Sequence, residues 1–307
     1  MGDPSGIGPE IIAKALAKVK GVAEFIIIGD NWVFKKSQKP RAKGQEFKFI
    51  DLDNVNHKNF SFGKIKAEYG RASIEYLDKA LELLKKNEID CLVTAPISKE
   101  AVNLAGFHYS GHTEYLEKHT ESKDTVMMLL NKHLKFTLVT RHVPLKTVSW
   151  AINKDKLAKT ISLTNQALKG LFSIKNPRLV ICGLNPHASD NGIIGKEETK
   201  IVNPVLKRLK KSIKYLDGAL PADVAIKKAK GGRYDCVIAM YHDQALIPLK
   251  LLGDETGVNL TLGLPFVRTS PLHGTAFDIA GTNLASPRSM IAAIKLVIKC
   301  SSGQKKA

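Results

Sequence analysis

Short β-branched apolar runs recur along this chain, and stretches with helical spacing separate nearly all of them. Residues 25–28 end at Gly29-Asp30, residues 91–93 end at Thr94-Ala95-Pro96, and the runs 136–139, 179–182 and 236–240 each give way to polar residues. Between them, residues 67–84 carry Ile74, Leu77, Leu81 and Leu84 on one helical face. Ser98 is placed to cap a helix with Lys99 and Glu100 in its first turn, and Pro287 opens a last helix through Ile291, Ile294 and Val297. A strand buried on both faces reads as a continuous apolar run, and parallel strands need a crossover between them. The pattern therefore predicts an α/β fold with largely parallel sheets covered by helices. With 307 residues, 44% of them apolar, the chain approaches the size at which one core stops growing, so two lobes sharing a cleft are expected.

Three of the runs lead to a histidine. Residues 136–139 precede Thr140-Arg141-His142, 179–182 precede Asn185-Pro186-His187, and 236–240 precede Tyr241-His242-Asp243. Loops leaving the carboxyl ends of strands line the crevice of an open α/β sheet, so three such loops can converge despite their separation in sequence. Imidazole is a common ligand for divalent metals, and three protein ligands leave a position open for water or substrate. The competing reading is three solvated or hydrogen-bonded loop histidines.

The formal charge is +18, from 47 Lys and Arg against 29 Asp and Glu, which favours an anionic partner. The lysines are scattered along helix-like segments such as 154–169 and 196–214, without the arginine-rich or aromatic-interleaved stripe of a single-strand binder, so no nucleic acid is expected. Cys91, Cys182, Cys236 and Cys300 lie far apart without a Cys-x-x-Cys pair, which fits buried thiols in a reducing cytoplasm. No window approaches 18 continuous apolar residues and no charged segment leads into an apolar one at the start, so a cytoplasmic chain with no membrane contact is expected. Residues 38–45 read as a polar surface loop and 301–307 as a frayed tail.

Four further clusters carry chemistry. Gly111-His112-Thr113-Glu114 precedes a helical segment, where backbone amides and a hydroxyl make either an anion site or an ordinary cap. Lys250, Asn259 and Arg268 lie downstream of His242 and are the side-chain types that hold a phosphate or carboxylate and fix a hydroxyl. Asp223 and Asp243 can orient an imidazole or take a proton, or simply cap a helix. The glycine-punctuated stretch 273–281, with His273, Gly274, Thr275, Asp278 and Gly281, lets the backbone approach a ligand such as an adenosine hydroxyl or a pyrophosphate. The opening Gly2-Asp3-Pro4-Ser5-Gly6-Ile7-Gly8-Pro9-Glu10 looks like a strand-to-helix turn with no strand before it, so either the sheet lacks that strand or the sequence starts downstream of its natural start. Its glycine spacing does not match the dinucleotide fingerprint.

Together these segments resemble the 4-hydroxythreonine-4-phosphate dehydrogenase (PdxA) family. The resemblance rests on residues 2–10, Thr-Ala-Pro-Ile-Ser-Lys at 94–99, Gly-His-Thr-Glu at 111–114, Asn-Pro-His-Ala at 185–188, Tyr-His-Asp-Gln at 241–244 and His-Gly-Thr-Ala at 273–276, which run the length of the chain. The stretch 273–281 is also similar to the adenosine-side loop of isocitrate and isopropylmalate dehydrogenases. The resemblance implies two α/β/α lobes flanking a cleft, one from residues 1–105 with 278–307 and one from 106–277. It implies oxidation of the C3 hydroxyl of 4-phosphooxy-L-threonine with NAD or NADP, then loss of CO₂ to give 3-amino-2-oxopropyl phosphate. Metal ligation falls on His142, His187 and His242, substrate contacts on His112, Thr113, Lys250, Asn259 and Arg268, and nucleotide contacts on His273, Gly274, Thr275, Asp278 and Gly281. Asp223 and Lys250 are candidate proton acceptors, with metal-bound hydroxide an alternative to either, and a homodimer with its active site at the subunit interface is implied. Two positions depart from the family pattern: members carry a strand before the Gly-Asp-Pro turn, and Leu272 stands where they have aspartate. The metal stays open among Zn²⁺, Co²⁺ and Mg²⁺. A dehydrogenase of 4-phospho-D-threonate or 4-phospho-D-erythronate is the alternative, and a basic nucleic-acid-binding protein a remote one.

Overall fold

A computed structural model of the protein describes residues 1–37, 46–109, 111–253 and 255–304. The expected surface loop 38–45 and residues 305–307 of the expected tail lie outside the described residues. Residues 301–304 do not fray: they continue the final helix, Arg288–Gln304. The strands, in chain order, are β1 (Phe25–Gly29), β2 (Phe47–Asp51), β3 (Cys91–Val93), β4 (Val126–Leu130), β5 (Lys135–Leu138), β6 (Arg178–Cys182), β7 (Tyr215–Leu220), β8 (Cys236–Ala239), β9 (Val258–Leu262) and β10 (Val267–Pro271). Among the described residues no helix is long and apolar enough to cross a membrane, and no cysteine forms a disulfide.

The chain divides into two compact units, one holding Met1–Lys123 with Leu264–Ser301 and the other Asp124–Gly263. The cuts fall at 123/124 and 263/264, whereas the family resemblance implies 105/106 and 277/278. Residues 112–119 explain part of the difference: they form a helix whose Tyr115 and Leu116 are buried in the same cluster as Ile74, Leu77 and Leu81, so His112 and Thr113 belong to the first unit. Arg268 and the stretch 273–281 belong to it as well.

In the second unit, six strands lie in the order β9-β4-β5-β8-β6-β7. β5, β8, β6 and β7 pair in parallel, and β4 is antiparallel to both β5 and β9, so β4 runs against the other five. Every residue of β4 and β8 is buried, as expected of strands covered on both faces. Helices Lys154–Gly170, Ala222–Lys230 and His242–Leu251 pack against them. Asn153 caps the first of these by accepting the Lys156 N–H at 2.9 Å.

In the first unit, β1 pairs with β2 and β3 with β10, all in parallel. The predicted Ser98 cap is present, its Oγ accepting the Ala101 N–H at 3.1 Å. The first residues run between the carboxyl ends of β1 and β3: the Met1 amine donates to the Ile28 carbonyl and the Asp3 N–H to that of Pro96, both at 2.9 Å. Beside them is a cavity of about 480 Å³ lined by Ile26, Ile28, Tyr76, Cys91, Val93 and Ile294 among others.

Two stability predictions follow from the first unit. Helix Ala67–Lys85 passes so close to the backbone of Lys99–Leu104 that a Cβ on Gly70 would overlap the Ala101 carbonyl. Gly70→Ala gains about 1 kcal/mol of helix propensity but meets backbone that has no side chain to swing aside, an overpacking cost of about 1–3 kcal/mol, so denaturant unfolding should show net destabilisation. Asp3 is buried, and burial pushes its pKa up to about 6. Between about pH 4 and 6 the folded state then holds a proton that the unfolded chain releases, so this group's contribution to stability falls as pH rises through that window. Asp3→Asn should melt above wild type at pH 8, by an amount on the order of 2 kcal/mol, with the gain gone at pH 4.

Candidate active site

The strand directions decide where the three histidines emerge. β5, β8 and β6 are neighbours and parallel, so their carboxyl ends share one edge of the second unit's sheet. His142 follows β5, His242 opens the helix after β8, and His187 follows β6. β7 ends at the same edge, and Asp223 stands in the first turn of the helix after it.

His142 and His242 come together, their ring centroids 5.7 Å apart. The Asp243 carboxylate lies 2.6 Å from His242 Nδ1, an arrangement that fixes the ring and leaves Nε2 to bind. His187 does not join them: among the described residues no group of three His, Cys, Asp or Glu side chains that could hold an ion is assembled. Residues 187–191 all have positive φ, between 42° and 70°, a left-handed turn that non-glycine residues seldom adopt, and His187 is exposed on it.

That turn is anchored from below. The buried Glu198 carboxylate accepts the N–H groups of Leu184 and Asn185, both at 2.8 Å, and the Asn185 amide bridges Glu197 and Glu198. A Cβ on Gly183 would lie 2.8 Å from Ala188 Cα, so only glycine lets the turn fold back this closely. Asn185 was legible as part of the motif; Glu198 was not, because a glutamate beside Glu197 and Lys196 reads as solvated surface.

Lys250 and Asn259 stand elsewhere. The helix His242–Leu251 runs back from the histidine edge, and the Leu249 carbonyl accepts from Asn131 Nδ2 at 2.9 Å, just past the end of the reversed strand β4. Lys250 is therefore at the opposite edge of the sheet, exposed. Asn259 pairs with Leu129, itself level with Phe136, six residues before His142. Its Oδ1 is buried without a hydrogen-bond partner among the described residues, an acceptor suited to a donor from outside.

The first unit, taken by itself, holds a buried cationic centre. Arg268 on β10 is 2% exposed, and its Nε and Nη2 both donate to Thr94 Oγ1, at 3.2 and 2.5 Å. Burial lowers its pKa only to about 10, so it stays charged at neutral pH, with Glu114 favouring the charge. His112 is shifted in the same direction but ends neutral: burial, then Arg268, then the amino terminus hold it well below the usual histidine range. Helix His112–His119 is preceded by Gly111, and no side chain caps it; Thr113 is buried inside the first turn rather than capping it. Thr94 and Lys99 both come from the 94–99 motif, and Lys99 Cε comes within 3.9 Å of where a Gly111 Cβ would stand.

The stretch 273–281 packs on the opening turn, the Thr275 carbonyl accepting the Ile7 N–H at 3.0 Å. Gly274, Asp278 and Gly281 are exposed, and Gly281 at φ 76° passes so close to the Phe62 ring that a Cβ would overlap it. Leu272 donates its N–H to Ser289 Oγ at 3.2 Å, tying the start of the stretch to the final helix.

The model of the pyridoxal phosphate biosynthetic protein PdxA matches residues 9–297. A 4-hydroxythreonine-4-phosphate dehydrogenase of Sulfurihydrogenibium sp. (strain YO3AOP1) is 43% identical over 310 residues, 97% of this chain and 96% of that protein. A D-threonate 4-phosphate dehydrogenase of Salmonella typhimurium is 39% identical, over 97% of each chain. The crystal structure of 4-hydroxythreonine-4-phosphate dehydrogenase from Klebsiella pneumoniae superposes with a TM-score of 0.86 at 34% identity, covering 98% of this chain and 96% of that one. With matches spanning almost its whole length, the chain belongs to the PdxA family of oxidoreductases.

Proposed function

We propose that this enzyme oxidises 4-phosphooxy-L-threonine at C3 with NAD or NADP and releases 3-amino-2-oxopropyl phosphate after decarboxylation, a step toward pyridoxal 5′-phosphate. The observation that carries the reading is the shared edge of β5, β8 and β6, from which His142, His242 and His187 all emerge in a PdxA-family chain. The donor chemistry fits a divalent ion of the Zn²⁺, Co²⁺ or Mg²⁺ group: His142 and His242 are neighbours, and Asp243 orients one of them. When bound, the metal would polarise the substrate oxygen and the nicotinamide would take the hydride.

The chain's own residues do the positioning. Arg268 supplies a permanent charge for phosphate or carboxylate, and neutral His112 adds a hydrogen-bonding group without a second charge beside it. Thr113 would add its hydroxyl and Asn259 its unpaired acceptor, which a substrate amine or hydroxyl can satisfy. His273, Gly274, Thr275, Asp278 and Gly281 would receive the nucleotide. Asp223, at the histidine edge, and Lys250, at the opposite edge, are the proton acceptors we propose. Since one chain sends its histidines and Lys250 with Asn259 to opposite edges of one sheet, the reading calls for a homodimer in which two copies complete each active site.

The D-threonate 4-phosphate dehydrogenase at 39% identity favours a second reading, in which the substrate is 4-phospho-D-threonate. Metal-stripped protein should form no NADH or NADPH from 4-phosphooxy-L-threonine until Zn²⁺, Co²⁺ or Mg²⁺ is restored. His242→Ala should lower turnover by at least about 100-fold in the restored enzyme, since loss of a ligand costs more than the 10–100-fold of its supporting partner. Turnover confined to 4-phospho-D-threonate would favour the second reading, and metal-independent turnover would remove the histidine assignment.

A further inference from the structure

We infer that Gln244 is a positioning residue that fixes the loops carrying His187 and His242 relative to each other. The inference rests on the reading of those histidines as metal ligands. β6 and β8 pair as far as Ile181 and Ile238, and beyond that row no further pairing joins them. The Gln244 side chain spans the gap: its Oε1 accepts the Met240 N–H at 2.8 Å and its Nε2 donates to the Gly183 carbonyl at 2.9 Å. A primary amide carries an acceptor and a donor as a peptide group does, so Gln244 replaces the missing ladder contact in kind.

The bridge continues on either side. The Met240 carbonyl accepts from Thr140 N at 3.1 Å and Thr140 Oγ1 at 2.6 Å, and Gly183 N donates to the Leu220 carbonyl at 2.7 Å. The exits of β5, β8, β6 and β7 thus form one hydrogen-bonded line, and in it Gln244 alone reaches from β8 to β6 by a side chain. Met240 stands two residues before His242, Gly183 four before His187, and Thr140 two before His142. A glutamine in the third helical position would ordinarily close a cap on its own helix start. Here it reaches one residue further back and spends its donor on another strand, which a capping role alone does not require.

The test is a Co²⁺ titration of metal-stripped wild type, Gln244→Met, Gln244→Glu and His242→Ala, read by visible absorption, with the melting temperature of each metal-free protein measured alongside. Gln244→Met removes both hydrogen bonds, and Gln244→Glu keeps the shape and the acceptor while losing the donor at neutral pH. Both should bind Co²⁺ about 10–100-fold more weakly than wild type, with a shifted absorption band, because supporting partners of metal ligands contribute on that scale. Should Gln244→Met not fold, the near-isosteric Gln244→Glu decides alone. Wild-type affinity and an unchanged band in a folded Gln244 variant, whatever its melting temperature, would overturn the inference while His242→Ala still loses the metal. If wild type takes up no Co²⁺, the histidine reading falls and this inference with it.

Discussion

Four adjacent parallel strands, β5, β8, β6 and β7, end at one edge, and the rest of the site hangs from that constraint. Where such strands end, their outermost N–H and C=O groups lose ladder partners while still close to the core. A buried polar group left unpaired costs about 1–3 kcal/mol, so the partners supplied at the exits become fixed points of the fold. Thr140, Met240, Gly183, Leu220 and Gln244 meet this need with hydrogen bonds among the segments at the strand exits. The loops bearing His142, His187 and His242 therefore start from a rigid line, although the histidines themselves are exposed or half-exposed. A rigid base beneath exposed histidines suits the proposed site, which would have to admit a substrate without reorganising.

Electrostatics in the first unit set two buried basic groups apart. Arg268 is almost fully buried yet remains a cation, since even a pKa lowered to about 10 leaves it charged at neutral pH. The same burial removes the charge from His112, whose imidazolium would otherwise stand against the guanidinium. Under the proposed reading, one fixed charge and one neutral hydrogen-bonding group would discriminate by geometry as well as by charge between phosphate and carboxylate.

Much of this was legible in the sequence, and the limits have physical causes. Strands buried on both faces announce themselves as apolar runs, so β1, β3, β5, β6 and β8 were readable to within about a residue, and with them the histidines at their ends. An apolar run carries no sign of direction, so the reversal of β4 was not readable, and Tyr-Leu-Asp-Gly-Ala-Leu in β7 is too mixed to be read as a strand. The separation of Lys250 and Asn259 from the histidines depends on that reversal and on strand register. Five left-handed residues at 187–191 leave no clear mark in Pro-His-Ala-Ser-Asp-Asn-Gly beyond the tolerance of Asp and Asn for such turns. Gln244 was visible only as one letter of a motif, because its second partner lies 61 residues away.

The account stands or falls on whether two copies complete one site, because no single sheet edge gathers the histidines with Lys250. The direct measurement is subunit complementation: His242→Ala and Lys250→Ala are purified separately, unfolded and refolded together, and assayed on 4-phosphooxy-L-threonine with metal and NAD(P). Each variant alone should be inactive, and random re-pairing should restore about a quarter of wild-type turnover, half the dimers being mixed with one of their two sites intact. A mixture that re-pairs as dimers yet stays inactive would contradict the account.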